Sequence, residues 1–296
     1  MFHVYNADVI IFLCAQVIEW TEVTDEDDLN VQGTLVARSE DSVYIALRDP
    51  SNYRQVVFYY LQGIYFHDDP WEVRGIAIAN NGFAIVSFGT ATSSAVRILL
   101  VSKSTTAGGT VNERDSIVDF KNLGFGSGIA ITPSADKVAI GDSQLGQVYI
   151  RGLNKSSGKL SSTDKHTLYA PATMTSAKFG DKVGFSTTGN SISIAAPLYK
   201  IGDVQVGSVL LYFYNSVTSS WEDIGSVLYG NGNNLRLGEG GVTVNDILGR
   251  VDANDISGER LSYQVSIFIF KCCLLKDGNN IAHSTIFVPF TVRSRL

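Results

Sequence analysis

Gly207-Ser208-Val209-Leu210-Leu211-Tyr212-Phe213 is the stretch whose reading decides the fold. Its β-branched, aliphatic and aromatic residues have the enrichment of a buried strand. The chain writes the pattern again at Gly146-Gln147-Val148-Tyr149-Ile150, Tyr263-Gln264-Val265-Ser266-Ile267-Phe268 and Arg54-Gln55-Val56-Val57-Phe58-Tyr59. Ser94-Ala95-Val96-Arg97-Ile98-Leu99 and Ala7-Asp8-Val9-Ile10-Ile11-Phe12 complete six copies. The aligned valines at 9, 56, 96, 148, 209 and 265 recur every 40 to 61 residues. That is the period at which one small sheet is laid down per repeat.

A pair of strands precedes each copy after the first. Val183-Gly184-Phe185-Ser186 and Ile192-Ser193-Ile194-Ala195 start nine residues apart, with Gly189-Asn190 between them as a hairpin turn. The same offset links Ile129 to Val138, Ile76 to Ile85, Thr34 to Val43 and Val242 to Val251, and turn formers such as Asn80-Asn81-Gly82 lie in between. A fourth strand is read at Trp221-Glu222-Asp223-Ile224, which mirrors Trp20-Thr21-Glu22-Val23 at nearly equal distance past the valine. A four-stranded sheet with two apolar faces cannot bury both alone, so successive sheets must stack face to face around an axis.

The expected fold class is therefore all-β: a β-propeller of four-stranded blades, six in number with seven as the alternative. It fills residues 1–296 as a single domain, with repeats at about 30–70, 71–120, 121–175, 176–234 and 235–278. The first Val-centred strand has no hairpin before it. Ile281-Ala282-His283-Ser284 and Phe290-Thr291-Val292 again start nine residues apart and would supply the missing pair. Residues 279–296 and 1–29 would then share the closing blade, which ties both termini into the ring and removes two exposed sheet edges.

Two of the repeats carry a recognisable motif. Phe125-Gly126, Gly141-Asp142 and Gly146-Gln147-Val148-Tyr149 form one; Phe179-Gly180, Ala195-Ala196-Pro197 and Gly207-Ser208-Val209 form the other. Trp221, Gly225 and Leu228-Tyr229-Gly230 close the second. The pattern resembles the FG-GAP repeat of integrin-α-like propellers. The blades at 34–61 and 76–101 keep only the strand rhythm, and Leu237-Gly238 with Asn254-Asp255 is a degraded copy. The resemblance implies adhesion, ligand binding or assembly through loops at one end of the ring, and it favours an extracellular, cell-surface or particle-associated setting. Members of that family often bind calcium in Asp-x-Asp-x-Asp-Gly turns, which gather several oxygens from one short loop. The corresponding turns here, Thr132-Pro133-Ser134-Ala135-Asp136, Ser186-Thr187-Thr188-Gly189-Asn190 and Ala79-Asn80-Asn81-Gly82, carry one carboxylate or none.

Composition narrows the function classes. A formal charge of -6 with no block of Lys and Arg argues against a nucleic-acid partner. No apolar run approaches the ~20 residues that a membrane-spanning helix needs. The apolar stretch Val9 to Ala15 has Asp8 at its edge and no Lys or Arg before it, so it reads as a strand rather than as a signal peptide. Cys14, Cys272 and Cys273 allow one bridge at most, between Cys14 and the adjacent pair, and read as three buried thiols.

Candidate site residues are sparse. Asp25-Glu26-Asp27-Asp28 reads as a solvated loop of like charges, and His67-Asp68-Asp69 as a surface turn whose neighbours alternate faces and so do not converge on a metal. His3, His67, His166 and His283 lack metal-ligand spacing, and Gly124-Phe125-Gly126-Ser127-Gly128 lacks the lysine and helix of a phosphate loop. No nucleophile elbow or catalytic-cysteine signature occurs, so no catalytic, metal or cofactor residue is assigned. Asn154-Lys155-Ser156 is a glycosylation sequon in an expected loop, with Asn154 as the acceptor. The expected function is that of a non-catalytic protein-interaction, adhesion or assembly module with other proteins as partners. A carbohydrate-binding or glycosidase-like propeller with a glycan partner is the alternative. The long loops Pro197 to Val206 and Gly230 to Gly240 offer contact surface.

Overall fold

The computed structural model describes residues 9–11, 20–22, 35–41, 43–49, 51–60, 63–102, 110–119, 122–174, 176–230, 236–245, 250–254, 260–276 and 280–293. Strands β1 (Val9–Ile11) and β2 (Trp20–Glu22) pair with each other, Ile11 opposite Trp20. Five four-stranded antiparallel sheets follow. The first is β3 (Val36–Arg38), β4 (Tyr44–Arg48), β5 (Gln55–Tyr60) and β6 (Gly63–Asp68); the second is β7 (Glu72–Ile78), β8 (Phe83–Gly89), β9 (Ser94–Ser102) and β10 (Thr110–Asp119). The third is β11 (Phe125–Ile131), β12 (Lys137–Asp142), β13 (Gln147–Asn154) and β14 (Lys159–Tyr169). In the fourth, β15 (Val183–Phe185) and β16 (Ser191–Ala196) are followed by a small inserted hairpin, β17 (Lys200–Ile201) with β18 (Val204–Gln205), before β19 (Ser208–Asn215) and β20 (Ser220–Tyr229) complete the sheet. The fifth is β21 (Gly241–Asn245), β22 (Arg250–Asn254), β23 (Arg260–Lys276) and β24 (Asn280–Arg293).

Within each sheet the strands are hydrogen-bonded in chain order, so each is an up-and-down meander. The Val-centred segments at 56, 96, 148, 209 and 265 are the third strands, and the nine-residue hairpins are the first two. The second strands are buried on both faces: every residue of β8 and of β16 is buried. The fourth strands β10 and β14 are mostly wet. A strand apolar on both faces exists only where its sheet is covered on both sides.

The chain divides into two compact units, Met1–Gly126 with Pro133–Ala135 and Leu153–Leu160, and Ser127–Thr132 with Asp136–Gly152 and Ser161–Leu296. The core of the first unit gathers Ala46, Val56, Phe58, Val86, Phe88 and Leu99. In the second unit one cluster joins Val148, Ile150, Phe179, Ile192, Ile194 and Leu210, and another joins Ala195, Val209, Leu211, Leu237 and Val251.

The Phe-Gly turn of the fourth sheet shows why glycines punctuate the repeat. Phe179 is fully buried, and Gly180 sits at φ +89°, where an L side chain is strained. Gly128 and Gly141 lie against the Gly180 carbonyl, close enough that a Cβ at Gly128 would be 2.6 Å from its oxygen and one at Gly141 nearer still. The backbone of one sheet thus seats directly on the glycines of its neighbour.

One expectation is corrected. The hairpin expected between Ile281 and Val292 is a single strand, β24, paired with β23 from Tyr263 opposite Arg293 to Lys276 opposite Asn280. Residues Ile281 to Val292 therefore complete the fifth sheet instead of sharing a closing blade with β1 and β2, which pair only with each other among the described residues. The physical reason lies in Ile286-Phe287-Val288, the segment that would have had to turn. It is among the strongest strand-forming sequence in the chain.

Candidate functional site

Each four-stranded sheet has two ends. One carries the turns from first to second and third to fourth strand; the other carries the connection from second to third strand and the run onward from the fourth. In the second unit this latter end is built by backbone hydrogen bonds that tie successive loops together. The Ala170 N–H donates to the Gly146 carbonyl at 2.8 Å, which fixes the end of β14 beside the β12–β13 turn. The Leu198 N–H donates to the Ala177 carbonyl at 3.0 Å, and the Gly230 N–H to the Gly207 carbonyl at 3.2 Å. Tyr199 and Tyr229 stack with ring centroids 5.4 Å apart.

This scaffold presents Leu145 from the β12–β13 turn, Tyr169 from the last position of β14, Ile201 and Val204 from the inserted hairpin, and Tyr229 from the last position of β20. Tyr169 is 64% exposed, Leu145 59% and Ile201 53%, so more than half of each side chain's surface is left in water by its own fold. The first unit repeats the bias. Tyr53 lies in its β4–β5 connection, Leu123 just after β10, and Val36, Phe66 and Val118 at or within two residues of the same ends of their strands. Of the large apolar residues exposed among the described residues, only Val43 and Val217 lie in turns at the opposite ends. The end offers area and phenolic hydroxyls rather than reacting groups. Burial, with a smaller contribution from Tyr199, raises the Tyr229 hydroxyl above its ordinary pKa and keeps it neutral.

The residues singled out from sequence distribute as follows. His67, Asp68 and Asp69 go three ways. His67 packs beside the Phe88 ring at 6.1 Å, Asp68 accepts from Gln55 Nε2 at 2.7 Å, and the buried Asp69 pairs with Arg97, which also holds Glu113 at 3.0 Å. Desolvation lowers the His67 pKa, opposed by the carboxylates of Asp69, Glu113 and Asp68 and assisted by Arg97. This cluster straps β6 to β9 and β10. Asn154 is exposed at the β13–β14 turn, where its side-chain oxygen accepts from the Ser156 and Ser157 N–H groups at 3.0 and 3.1 Å. His166 lies beside Tyr214 and Asp164. His283 is opposite Cys273, and Cys272 opposite Ser284, in the β23–β24 register. Cys14, His3 and Asp25-Glu26-Asp27-Asp28 lie outside the described residues.

Two of the three turns that correspond to calcium loops, at Thr132 and Ser186, and the β3–β4 turn at Ser39 are held by hydroxyls, whereas the turn at Ala79 closes through its own backbone, the Ala79 N–H donating to the Phe83 carbonyl at 2.8 Å. Ser39 Oγ accepts from Tyr44 N–H at 3.0 Å, Thr132 Oγ1 from Lys137 N–H at 3.1 Å, and Ser186 Oγ from Ser191 N–H at 3.1 Å, always five residues on. The signal for these closures in the sequence is the Ser or Thr that stands five residues before each return strand, at Ser39, Thr132 and Ser186. Pro197 to Val206, expected as a loop, contains the β17–β18 strand pair.

No family model matches the chain, and no curated protein matches it. Among solved structures the chain is similar to the β-propeller domain of Cps50 (Swd1) from Myceliophteria thermophila, at 10% identity and a TM-score of 0.50 over 77% of this chain and 68% of that one. It is also similar to a candidate 6-phosphogluconolactonase from Bacteroides fragilis, at 10% identity and a TM-score of 0.52 over 88% of this chain and 70% of that one. At such identities the likeness speaks to fold alone, and together with the four-stranded antiparallel sheets it makes this chain an all-β protein with a β-propeller fold.

Proposed function

We propose that this chain is a non-catalytic docking module that binds another protein through the ends of its sheets carrying the second-to-third strand connections. The observation behind this reading is the concentration of exposed apolar side chains there, with Leu145, Tyr169, Ile201, Val204 and Tyr229 in one unit. Large apolar side chains gathered and exposed at one end of a protein are a mark of interaction surfaces. Tyrosines supply much of the surface here, and tyrosine is enriched in protein interfaces. The repeat is best described as FG-GAP-like, supported by the buried Phe179-Gly180 turn and its glycine neighbours. Size in native extract tests the function. The wild type should run larger than the purified chain, and Tyr169→Ser with Leu145→Ser should bring it down to the purified size at unchanged melting temperature. An unchanged native size would refute the assignment.

A further inference from the structure

Between the first and second sheets, a single cation serves two carboxylates beside a histidine. His67 is the next-to-last residue of β6 and Asp69 follows it by two positions, so the two side chains point to the same side while Asp68 points away. Exposure follows the alternation: Asp68 is exposed, and only 2% of the Asp69 side chain meets solvent. Facing them, β9 supplies Arg97, which pairs with Asp69 and whose Nη1 donates to both Glu113 oxygens of β10 at 3.0 and 3.1 Å. The guanidinium stands 5.6 Å from the Phe88 ring centroid, and the His67 ring 6.1 Å from the same ring. His67 Nε2 is buried there with no hydrogen-bond partner among the described residues. Protonation makes both imidazole nitrogens donors whichever tautomer precedes it, so Nε2 then needs an oxygen. The charged groups that face it are Asp68 from β6, Asp69 from the crossing to β7, Arg97 from β9 and Glu113 from β10; β5 and β8 bring Val56 and Phe88.

Asp69 also holds the crossing from β6 to β7. Its Oδ1 accepts from the Trp71 N–H at 3.0 Å, and its own N–H donates to the Arg54 carbonyl at 2.9 Å. The Val73 N–H donates to the Tyr53 carbonyl at 2.8 Å. The exposed Tyr53 and Phe66 therefore flank a crossing that one buried carboxylate ties down.

We propose that this cluster is a proton-driven switch on the docking end of the first unit: when His67 takes a proton from solvent, its imidazolium draws the Asp69 carboxylate away from Arg97, the Asp69-Pro70-Trp71 crossing shifts, and the docked protein is released. The inference rests on the docking reading above and adds its regulation. Arg97 keeps Glu113 when Asp69 leaves, so the exchange strands no charge. Desolvation lowers the His67 pKa, with Arg97 adding to it and the carboxylates opposing, so the switch works in mildly acidic solution.

Tryptophan emission of the purified full chain between pH 7.5 and 5 tests the switch, because the Trp71 N–H hangs on the Asp69 carboxylate. The wild type should show a reversible step with its midpoint below ~6.5, the ordinary histidine value. His67→Gln and His67→Phe, the second keeping a ring against Phe88, should both lose it. His166→Gln, which removes the histidine packed on Tyr214 beside Trp221, should keep it. A wild type without the step, or a step that survives in the His67 variants, overturns the proposal. Size in native extract reads the consequence. The wild-type species should shift toward the purified size at pH 5, its apparent affinity falling by up to tenfold per pH unit below the midpoint, the limit for one coupled proton, while His67→Gln stays large at both pH values. A wild-type complex unshifted at pH 5 overturns the release and leaves the docking reading standing; a wild type already at the purified size at pH 7.5 removes both.

Discussion

Replacing Gly141 with alanine pits two effects of opposite sign against each other. Gly141 lies outside the left-handed region, so alanine is compatible with its backbone. By restricting the unfolded chain alone, the substitution would stabilise by ~0.4–1 kcal/mol. Against this, the new methyl would land on the Gly180 carbonyl oxygen, closer than real Cβ atoms ever stand. That carbonyl cannot retreat freely. It accepts from Ser127 Oγ at 3.2 Å, and the Gly180 N–H donates to the Ala195 carbonyl at 3.0 Å. Overpacking of this kind costs ~1–3 kcal/mol, and losing the hydroxyl bond adds about 1 kcal/mol. The net expectation is destabilisation by ~2 kcal/mol, or a melting temperature lower by ~4–8 °C. Thermal and urea unfolding of Gly141→Ala measure it. Gly202→Ala is the control: with open space around it, it should lose only the ~1–2 kcal/mol of left-handed strain. A Gly141→Ala protein that melts at or above the wild-type temperature would refute the claim that sheet backbones seat on one another at these glycines.

Three further outcomes are expected. Because burial depresses the His67 pKa in the folded protein, the unfolded chain takes up the proton first as pH falls through the ordinary histidine value; stability is full above that value and declines below it, and His67→Gln should flatten the slope in a urea-midpoint series. Exchanging a chelator for calcium should leave the melting temperature unchanged, since the turns at Thr132 and Ser186 are closed by hydroxyls and the turn at Ala79 by its own backbone; a rise abolished by mutating one turn contradicts that. Expression through a secretory pathway should add one N-linked glycan at the exposed Asn154 that glycosidase removes and Asn154→Gln prevents, and an unmodified mass would dismiss the sequon.

Much of the fold was legible because the repeat obeys two local rules at once. Val56, Val96, Val148 and Val209 are each at most 1% exposed, so the residue that could be aligned by eye is also the one the core selects. The nine-residue offset survives because a strand, a tight turn and a return strand leave little room for another length. Residues 281–292 keep the nine-residue offset but lack the turn chemistry that a hairpin needs. Nothing between Ser284 and Phe290 except Pro289 disfavours a strand, whereas Asp277-Gly278-Asn279, just before β24, has the composition of a turn. Pro289 is consistent with the outcome: it stands opposite Ile267 on β24, an edge strand whose missing N–H can face away from the ladder.

The candidate site was harder to read, for a reason of parity. Tyr169, Tyr229 and Leu145 are far apart in sequence and share no motif; what unites them is that a fourth strand ends where a second-to-third turn stands. Only a register, which says which end each strand finishes at, turns such residues into a patch. The inserted hairpin did carry a local signal, since Gly202-Asp203 between Ile201 and Val204 is a two-residue turn between apolar residues. It is also the place where the fold departs from its own economy: the β12–β13 turn spans Ser143 to Gly146, whereas the β16–β19 connection runs from Pro197 to Gly207. The base of this extra chain serves the unit, since Val206 is buried and Tyr199 stacks on Tyr229, whereas its tip leaves Ile201 53% exposed. On the docking reading, its apolar face extends the surface that Leu145, Tyr169 and Tyr229 present at the same end of their sheets.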